Sequence, residues 1–96
     1  MKFVWDEAKR KRNLRKHNID FIDVSEIFEN PMISFLDTRN NYDEDRLIGI
    51  GYVQNRILLV CYLELCSGNV IRIISARKAL SHERKKFEQE ITNRLE

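Results

Sequence analysis

The stretch RLIGIGYVQNRILLVCYLELCSGNVIRIISA, which runs from Arg46 to Ala76, decides the fold. It contains three apolar segments of strand length, which are Arg46–Val53, Arg56–Leu65 and Val70–Ala76. The connections between these segments are two and four residues long, and both carry turn residues. Because connections this short join antiparallel strands, we predict an antiparallel meander. The middle segment is almost continuously apolar, which predicts a central strand.

The residues before the meander predict two helices and one more strand. Asp6 suits the N-cap of a helix over Glu7–His17, and Asn18 suits the left-handed position that follows a helix. Apolar residues at helical spacing predict a second helix over Phe21–Glu29. The segment Met32–Leu36 is predicted to form a strand.

The two ends of the chain complete this outline. Phe3–Trp5 is either a short strand or a pair of core anchors. Ser81 suits the N-cap of a last helix, whose apolar residues recur every four positions from Phe87 to Leu95. The order of the elements predicts one α+β domain over residues 1–96. It has two N-terminal helices, a four-stranded and mainly antiparallel sheet, and a C-terminal helix.

The composition excludes several classes of protein. The net charge is +2 and 43% of the residues are apolar, as in an ordinary globular domain. No apolar run approaches the roughly 20 residues that cross a bilayer, and the N-terminus lacks a signal-peptide pattern. We therefore expect a cytoplasmic protein with no membrane partner. Cys61 and Cys66 lack metal-ligand spacing and no glycine-rich phosphate loop is present, so we expect free thiols, no metal and no cofactor.

The small net charge hides a separation of charges along the chain. Residues 1–17 hold seven Lys and Arg against two acids, and residues 72–86 hold six against one. Residues 19–45, between these blocks, hold eight acids against Arg39. If the fold brings the basic blocks together, they form a positive surface for a polyanion. The alternative is two ordinary solvated basic helices, and the charges alone do not decide between the two.

Several short motifs stand in a specific order along the chain. They are Phe3-x-Trp5-Asp6, Asn13-Leu14-x-Lys16-His17, Phe21, Tyr42-x-Glu44-x-Arg46, the run from Arg72 to Ala79, and Glu83. In order and spacing this set resembles the BrnT toxins of bacterial toxin–antitoxin pairs. The resemblance extends from Phe3 to about Glu88, and its most specific element is Arg-Ile-Ile-Ser-Ala-Arg, residues 72–77.

The resemblance implies a fold, an activity and a set of partners. BrnT toxins have a RelE-like fold, in which a small antiparallel sheet packs against helices. They are ribonucleases that stop translation and are neutralised by a BrnA-type antitoxin. The toxin–antitoxin complex represses its own operon through the DNA-binding part of the antitoxin. RNA is thus the implied substrate, and operator DNA is an implied partner only through the complex.

The chain departs from the BrnT pattern at several positions. Asn18 and Asp43 stand where Gly is usual or common, and Phe87 stands where Tyr is common. Leu65 stands where the family often has Arg. If that Arg contacts the scissile phosphate, this chain lacks a catalytic group or uses another one, so Leu65 is the departure that bears on activity.

Cleavage of RNA without a metal requires three kinds of group. A base takes the proton of the 2′-hydroxyl, an acid protonates the leaving oxygen, and cations stabilise the charge of the transition state. Arginine suits the cationic role because its planar fork holds two phosphate oxygens. Histidine suits proton transfer because it exchanges protons near neutral pH.

Ten residues are candidates for this chemistry. The predicted catalytic residues are Arg77, Arg72, Arg46, Glu64 and His17. The predicted RNA-binding residues are Lys9, Arg12, Lys16, Lys78 and Tyr62. Each has a structural alternative: the arginines in ion pairs, His17 in the last turn of a helix, Glu64 at a strand end and Tyr62 in the core.

One geometric conflict concerns the two leading arginines. Arg72 and Arg77 are five residues apart, so a regular strand places them on opposite faces of the sheet unless a bulge or the exit of the strand turns one of them. Three functions remain open at this stage. The first is a metal-independent ribonuclease toxin, the second is a catalytically degenerate BrnT-like module that binds an antitoxin, and the third is a small nucleic-acid-binding regulator.

Overall fold

The predicted meander forms the middle of a larger sheet in the computed structural model, which describes residues 1–39 and 44–95. The strands are β1 (Lys2–Trp5), β2 (Met32–Leu36), β3 (Leu47–Val53), β4 (Arg56–Leu65) and β5 (Val70–Lys78). The helices are α1 (Glu7–His17), α2 (Phe21–Val24) and α3 (Ser81–Leu95). Short 3₁₀ segments cover Ser25–Glu29 and Cys66–Gly68. No helix of the described residues has the length and apolar character needed to cross a membrane.

The sheet has five strands in the order β1-β5-β4-β3-β2. Strands β2 to β5 are antiparallel neighbours, which confirms the meander, but β1 pairs with β5 in parallel. The expectation of a four-stranded, mainly antiparallel sheet is therefore corrected to a mixed sheet of five strands. The four residues of β1 are too few to show a strand pattern by themselves, and the partner strand lies near the other end of the chain.

The second predicted helix differs from the observed one. Asp20 accepts a hydrogen bond from the amide of Ile22, but the α-helix ends at Val24 and continues as the 3₁₀ segment Ser25–Glu29. Its fully buried residues are Phe21, Val24 and Ile27. A spacing of three keeps these side chains on one face as the α-helix passes into the 3₁₀ segment, which has three residues per turn.

The sheet has two faces with different coverings. We call the face of Leu58, Val60 and Tyr62 the back face; it packs against α2 and the following 3₁₀ segment. We call the face of Leu59, Cys61 and Leu63 the front face. Helix α3 covers the β2–β3 side of the front face, where Phe87 packs in a core cluster that includes Leu59. Helix α3 leaves the part of the front face beside β5 uncovered, so that part is available to a ligand.

A bulge in β5 resolves the conflict over the two arginines. Cys61 pairs with Ser75 and Tyr62 pairs with Ile73, so Ile74 has no partner on β4. One unpaired residue shifts the alternation of the strand by one position. As a result Arg72 pairs with Leu63 and Arg77 pairs with Leu59, and both arginines lie on the front face.

Helix α1 is held beside β5 by a polar side chain. Asn13 is its buried residue, with an exposed fraction of 7%. The amide of Ala76 donates to Asn13 Oδ1 at 3.1 Å, and Asn13 Nδ2 donates to the carbonyl of Ile19 at 3.0 Å. Strand β1 ends opposite Ile73, so Asn13 supplies the acceptor that a longer β1 would have supplied.

Replacing Asn13 with Ala should destabilise the protein. The amide of Ala76 and the carbonyl of Ile19 would lose their partner in a buried place, so we expect the free energy of unfolding to fall by about 2–4 kcal/mol. Urea unfolding measures this change. Lys11→Ala, an exposed site on the same helix, is the matched control and should change it by less than about 0.5 kcal/mol. Equal effects of the two variants would contradict the anchoring role of Asn13.

Candidate functional site

A basic furrow lies on the front face between α1 and β5. Three neighbouring depressions of about 310 to 350 Å³ share lining residues and form one channel. We call this channel the furrow. Helix α1, strand β5 and the segment between β2 and β3 line it with Lys9, Arg12, Lys16, His17, Arg39, Arg46, Arg72, Ile74, Ser75 and Arg77. The two basic blocks of the sequence therefore come together in one place.

Helix α1 turns a polar stripe towards the sheet. Lys9, Arg12, Asn13, Lys16 and His17 are spaced so that they lie on one face of the helix, and all line the furrow. A helix packed on a sheet usually has apolar residues at these positions. Here Asn13 provides the attachment, so the remaining positions are available to cations and to the imidazole of His17.

Arg72 is exposed and stands at one end of the furrow. It lines this end with Arg46, Lys9 and Leu65. It makes no ion pair with any carboxylate in residues 1–39 or 44–95. Among the described residues its guanidinium is thus free of an ion pair and available to a phosphate, and Glu44 is the carboxylate that lines the same end of the furrow.

Arg77 makes the ion pair that was its structural alternative. Its Nη1 and Nη2 donate to Glu83 Oε1 and Oε2 at 2.8 and 2.9 Å, so the pair is bidentate. Glu83 Oε1 also accepts from the amide of Leu80 at 2.7 Å and so caps the start of α3. The hydrogen bonds from Arg77 lower the pKa of Glu83. Within the described chain the Nε–H of Arg77 has no acceptor, so the paired side chain keeps a donor.

Arg39 is a furrow residue that the sequence analysis did not select. Its Nε and Nη2 donate to the two carboxylate oxygens of Asp37, both at 2.8 Å, and the Asp37 side chain is fully buried. The guanidinium lines the furrow beside Arg77 and His17. The sequence feature that could have indicated this arrangement is the Asp-x-Arg spacing. An Asp side chain commonly accepts a hydrogen bond from the backbone amide two residues later, and here that distance is 3.1 Å.

Arg46 also combines a pair with a place in the furrow. Its Nε donates to Glu44 Oε1 at 3.3 Å, which is the ion pair that the sequence analysis named as an alternative. Tyr42 and Asp43, the other members of this motif, lie outside the described residues. Arg46 faces Arg72 across one end of the furrow.

Three of the predicted site residues are not in the furrow, and two of them, Tyr62 and Glu64, lie on the back face. The Tyr62 side chain is 1% exposed and lies on the back face, where its ring meets Phe28 edge-on at 5.1 Å. The expectation that Tyr62 stacks on a base is therefore wrong, because no face of the ring reaches the surface. Glu64 is exposed, but its partner Ile71 belongs to the back-face core, so Glu64 points away from Arg72 and Arg77.

Lys78 lies beyond the furrow, and Leu65 lies within it. Lys78 is exposed and lines a separate pocket near the end of β5. Leu65, the departure from the BrnT pattern, is 40% exposed and lines the furrow beside Arg46 and Arg72. The arginine that the family often has at this position would therefore line the furrow, and this chain lacks it.

The sulfur and metal-binding chemistry of the described residues is limited. Cys61 and Cys66 are free thiols, as predicted, and burial and the neighbouring Asp37 raise the pKa of the Cys61 thiol. In residues 1–39 and 44–95 no three His, Cys, Asp or Glu side chains come together to hold a metal ion.

Comparisons with known proteins agree on one family. A family model described as the ribonuclease toxin BrnT of type II toxin–antitoxin systems matches residues 5–83. The chain is similar to the ribonuclease toxin BrnT of Brucella abortus, a crystal structure at 1.1 Å resolution, with 34% sequence identity and a TM-score of 0.67. That match covers 84% of this chain and 99% of the Brucella chain. No curated protein sequence matches.

The Glu83–Arg77 pair should make stability depend on pH. Folding lowers the pKa of Glu83, so its stabilisation is present above the unfolded pKa and is lost as the pH falls through the folded value. At neutral pH we expect Glu83→Gln to lower the free energy of unfolding by about 1 kcal/mol, since the pair is partly exposed.

Urea unfolding at neutral pH and near pH 3 measures this effect. The difference between wild type and Glu83→Gln should shrink at the acidic pH, which lies below the usual pKa of a glutamate carboxyl. Glu90→Gln, an exposed site on α3, is the control and should show no such pH dependence. A Glu83→Gln effect that is equal at both pH values would contradict the assignment.

Proposed function

This chain belongs to the BrnT family of ribonuclease toxins of type II toxin–antitoxin systems, and from that premise we propose that it cleaves RNA in the furrow without a metal ion. The observation that supports this site is the bulge at Ile74. It brings Arg72 and Arg77 to one face of the sheet, opposite the basic stripe of α1. The two sequence blocks that carry most of the positive charge thereby face the same channel.

The furrow has the electrostatic character that a polyanion needs. Its cations come from three separate parts of the chain, and Glu44 is the carboxylate among its described lining residues. Several cations along a channel raise the local concentration of RNA and contribute a salt-dependent part of the affinity. The channel also exposes Ser75, a small residue that leaves room for a phosphate between the two arginines.

The proposed roles follow from where each group lies. Arg72 and Arg77 contact the phosphate oxygens and stabilise the additional charge of the transition state. Arg39 and Arg46 are held by carboxylates, so they present their remaining surface at low entropic cost. Lys9, Arg12 and Lys16 hold the RNA backbone on the helix side of the furrow.

His17 is the proposed proton carrier. It is half-buried in the furrow beside Ser75 and Arg77. The other candidate proton carriers are less suitable, because Glu64 lies on the back face and Glu44 is paired to Arg46. The imidazole of His17 therefore exchanges the proton near a phosphate that Arg77 binds. The nucleophile in this scheme is the 2′-hydroxyl of the RNA, which bonds to phosphorus as the bond to the 5′-oxygen breaks. His17 takes the proton of the 2′-hydroxyl and returns it to the leaving 5′-oxygen, so cleavage is restricted to RNA.

The proposed biological role rests on the family. A type II system pairs the toxin with a protein antitoxin. We propose that a BrnA-type antitoxin neutralises this chain, that the complex reaches operator DNA through the antitoxin, and that free toxin stops translation in the cytoplasm. The basic furrow supports this assignment, because an acidic partner that covers it would exclude RNA.

A catalytically degenerate, antitoxin-binding module is the second candidate. The observation that favours it is Leu65, whose side chain replaces a cation at the end of the furrow beside Arg72. Leu65→Arg separates the two candidates. A wild type that binds its antitoxin but cleaves no RNA, together with an active Leu65→Arg variant, would establish the degenerate module.

The central test of the proposal is Arg72→Ala. We expect the rate of RNA cleavage by the purified protein, with EDTA present, to fall about 10²- to 10³-fold, because a preorganised cation is lost from the transition state. Folding should be unchanged, since Arg72 makes no ion pair with the described residues. Arg15→Ala, exposed on α1 outside the furrow, is the matched control and should retain activity.

Two results would contradict the proposal. Cleavage by Arg72→Ala at the wild-type rate would place the site elsewhere. Loss of wild-type cleavage on addition of EDTA would show that the reaction requires a metal. Arg77→Ala is a weaker test, because it leaves the largely buried carboxylate of Glu83 without its cation and so also affects the start of α3.

A further inference from the structure

A second basic pocket lies at the end of the sheet, outside the furrow. Hairpin β3–β4 and the chain that connects β5 to α3 meet there and enclose about 310 Å³. We call it the end pocket. Its main lining residues are Tyr52, Arg56, Ile57, Lys78, Ala79 and Arg84. Lys78, which was predicted to bind RNA, is therefore a member of this pocket and not of the furrow.

The cations of the end pocket make no ion pair with the acidic side chains that the structure describes. The ion pairs of the described chain involve Arg10, Arg39, Arg46 and Arg77. None of Arg56, Lys78 and Arg84 pairs with a carboxylate of residues 1–39 or 44–95, and no carboxylate lines the pocket. Arg56, Lys78 and Arg84 thus line one pocket with no carboxylate of the described residues among them, a condition that attracts an anion.

Tyr52 gives the end pocket an aromatic surface. Its side chain is 43% exposed, although its ring contacts Phe87 edge-on at 5.5 Å, and Phe87 is 1% exposed. A buried neighbour therefore fixes the position of an exposed ring. Arg84 is also oriented, because its Nη1 donates to the carbonyl of Ala79 at 3.3 Å. Exposed aromatic rings beside oriented cations are the means by which proteins bind single-stranded nucleic acid.

The end pocket continues the line of the furrow. Arg77 lines the furrow and Lys78, the next residue of β5, lines the end pocket. On β4, Leu59 lines the furrow and Ile57 lines the end pocket, which is a separation of about 7 Å along the strand. The two sites are thus close enough along the sheet for neighbouring nucleotides of one RNA strand.

We propose that the end pocket binds one nucleotide of the RNA substrate, next to those held in the furrow. The base stacks on Tyr52, and Arg56, Lys78 and Arg84 contact its phosphates. This inference rests on the proposed ribonuclease function and extends it to a second subsite. The stacking accepts any base because every base has a π-face, so the pocket sets the length of RNA that is bound and not its sequence.

The test measures binding of non-cleavable 2′-O-methyl RNA to the full chain by fluorescence anisotropy. One RNA has about ten nucleotides and reaches both sites, and the other has about three and occupies the furrow. Tyr52→Leu removes the aromatic surface but keeps an apolar contact with Phe87. Tyr52→Phe keeps the ring and is its matched control.

We expect Tyr52→Leu to weaken binding of the longer RNA about tenfold and to leave the shorter RNA unchanged. Tyr52→Phe should bind both RNAs within about twofold of wild type. Lys78→Ala should reduce the slope of log affinity against log salt by about 0.7 for the longer RNA. Lys85→Ala, exposed on α3 and outside both sites, should leave the slope unchanged.

The possible failures are distinguishable. If Arg72→Ala weakens binding of both RNAs while Tyr52→Leu and Lys78→Ala change neither, the end-pocket inference fails and the furrow stands. If the wild type neither binds nor cleaves RNA, the proposed function fails and the inference fails with it. If Tyr52→Leu weakens only the complex with the antitoxin, the pocket is a protein interface and the RNA subsite is overturned.

Discussion

The amide side chain of Asn13 is the contact on which both the fold and the furrow depend. Strand β1 ends opposite Ile73, and the amide of Ala76 on the following part of β5 is satisfied by Asn13. The same side chain holds the carbonyl of Ile19 at the start of the next segment. One polar residue thus attaches α1 to the sheet without an apolar stripe. The freed positions of the helix are basic, and they form one wall of the furrow.

The bulge at Ile74 supplies the other wall. A regular strand cannot present residues 72 and 77 on one face, but an unpaired residue between them can. The bulge lies directly before the part of β5 that Asn13 binds, so the irregular strand and the polar helix anchor belong to one local arrangement. The bulge thus weakens the pairing of the sheet locally, and it also brings the two arginines of the site together.

The arginines of the furrow fall into two groups. Arg77, Arg39 and Arg46 are oriented by Glu83, Asp37 and Glu44, so their positions are set before a ligand arrives. Arg72 has no such partner in the described residues and keeps its full charge for a ligand. Cations that are fixed by carboxylates bind an anion in a defined geometry, and a cation without such a partner attracts the anion more strongly. An anion-binding channel needs both kinds of cation.

The sequence by itself determined the order of the elements and most of their limits. Asp6 caps α1 and Asn18 ends it with a φ of 57° as expected, because these signals act between neighbouring residues. Only the tertiary structure decided the pairing of β1, the face of Glu64, the burial of Tyr62 and the place of Arg39. Each of these depends on contacts between distant parts of the chain or on the phase of an irregular strand. The periodicity of apolar residues along a short segment shows neither distant contacts nor a change of phase in a strand.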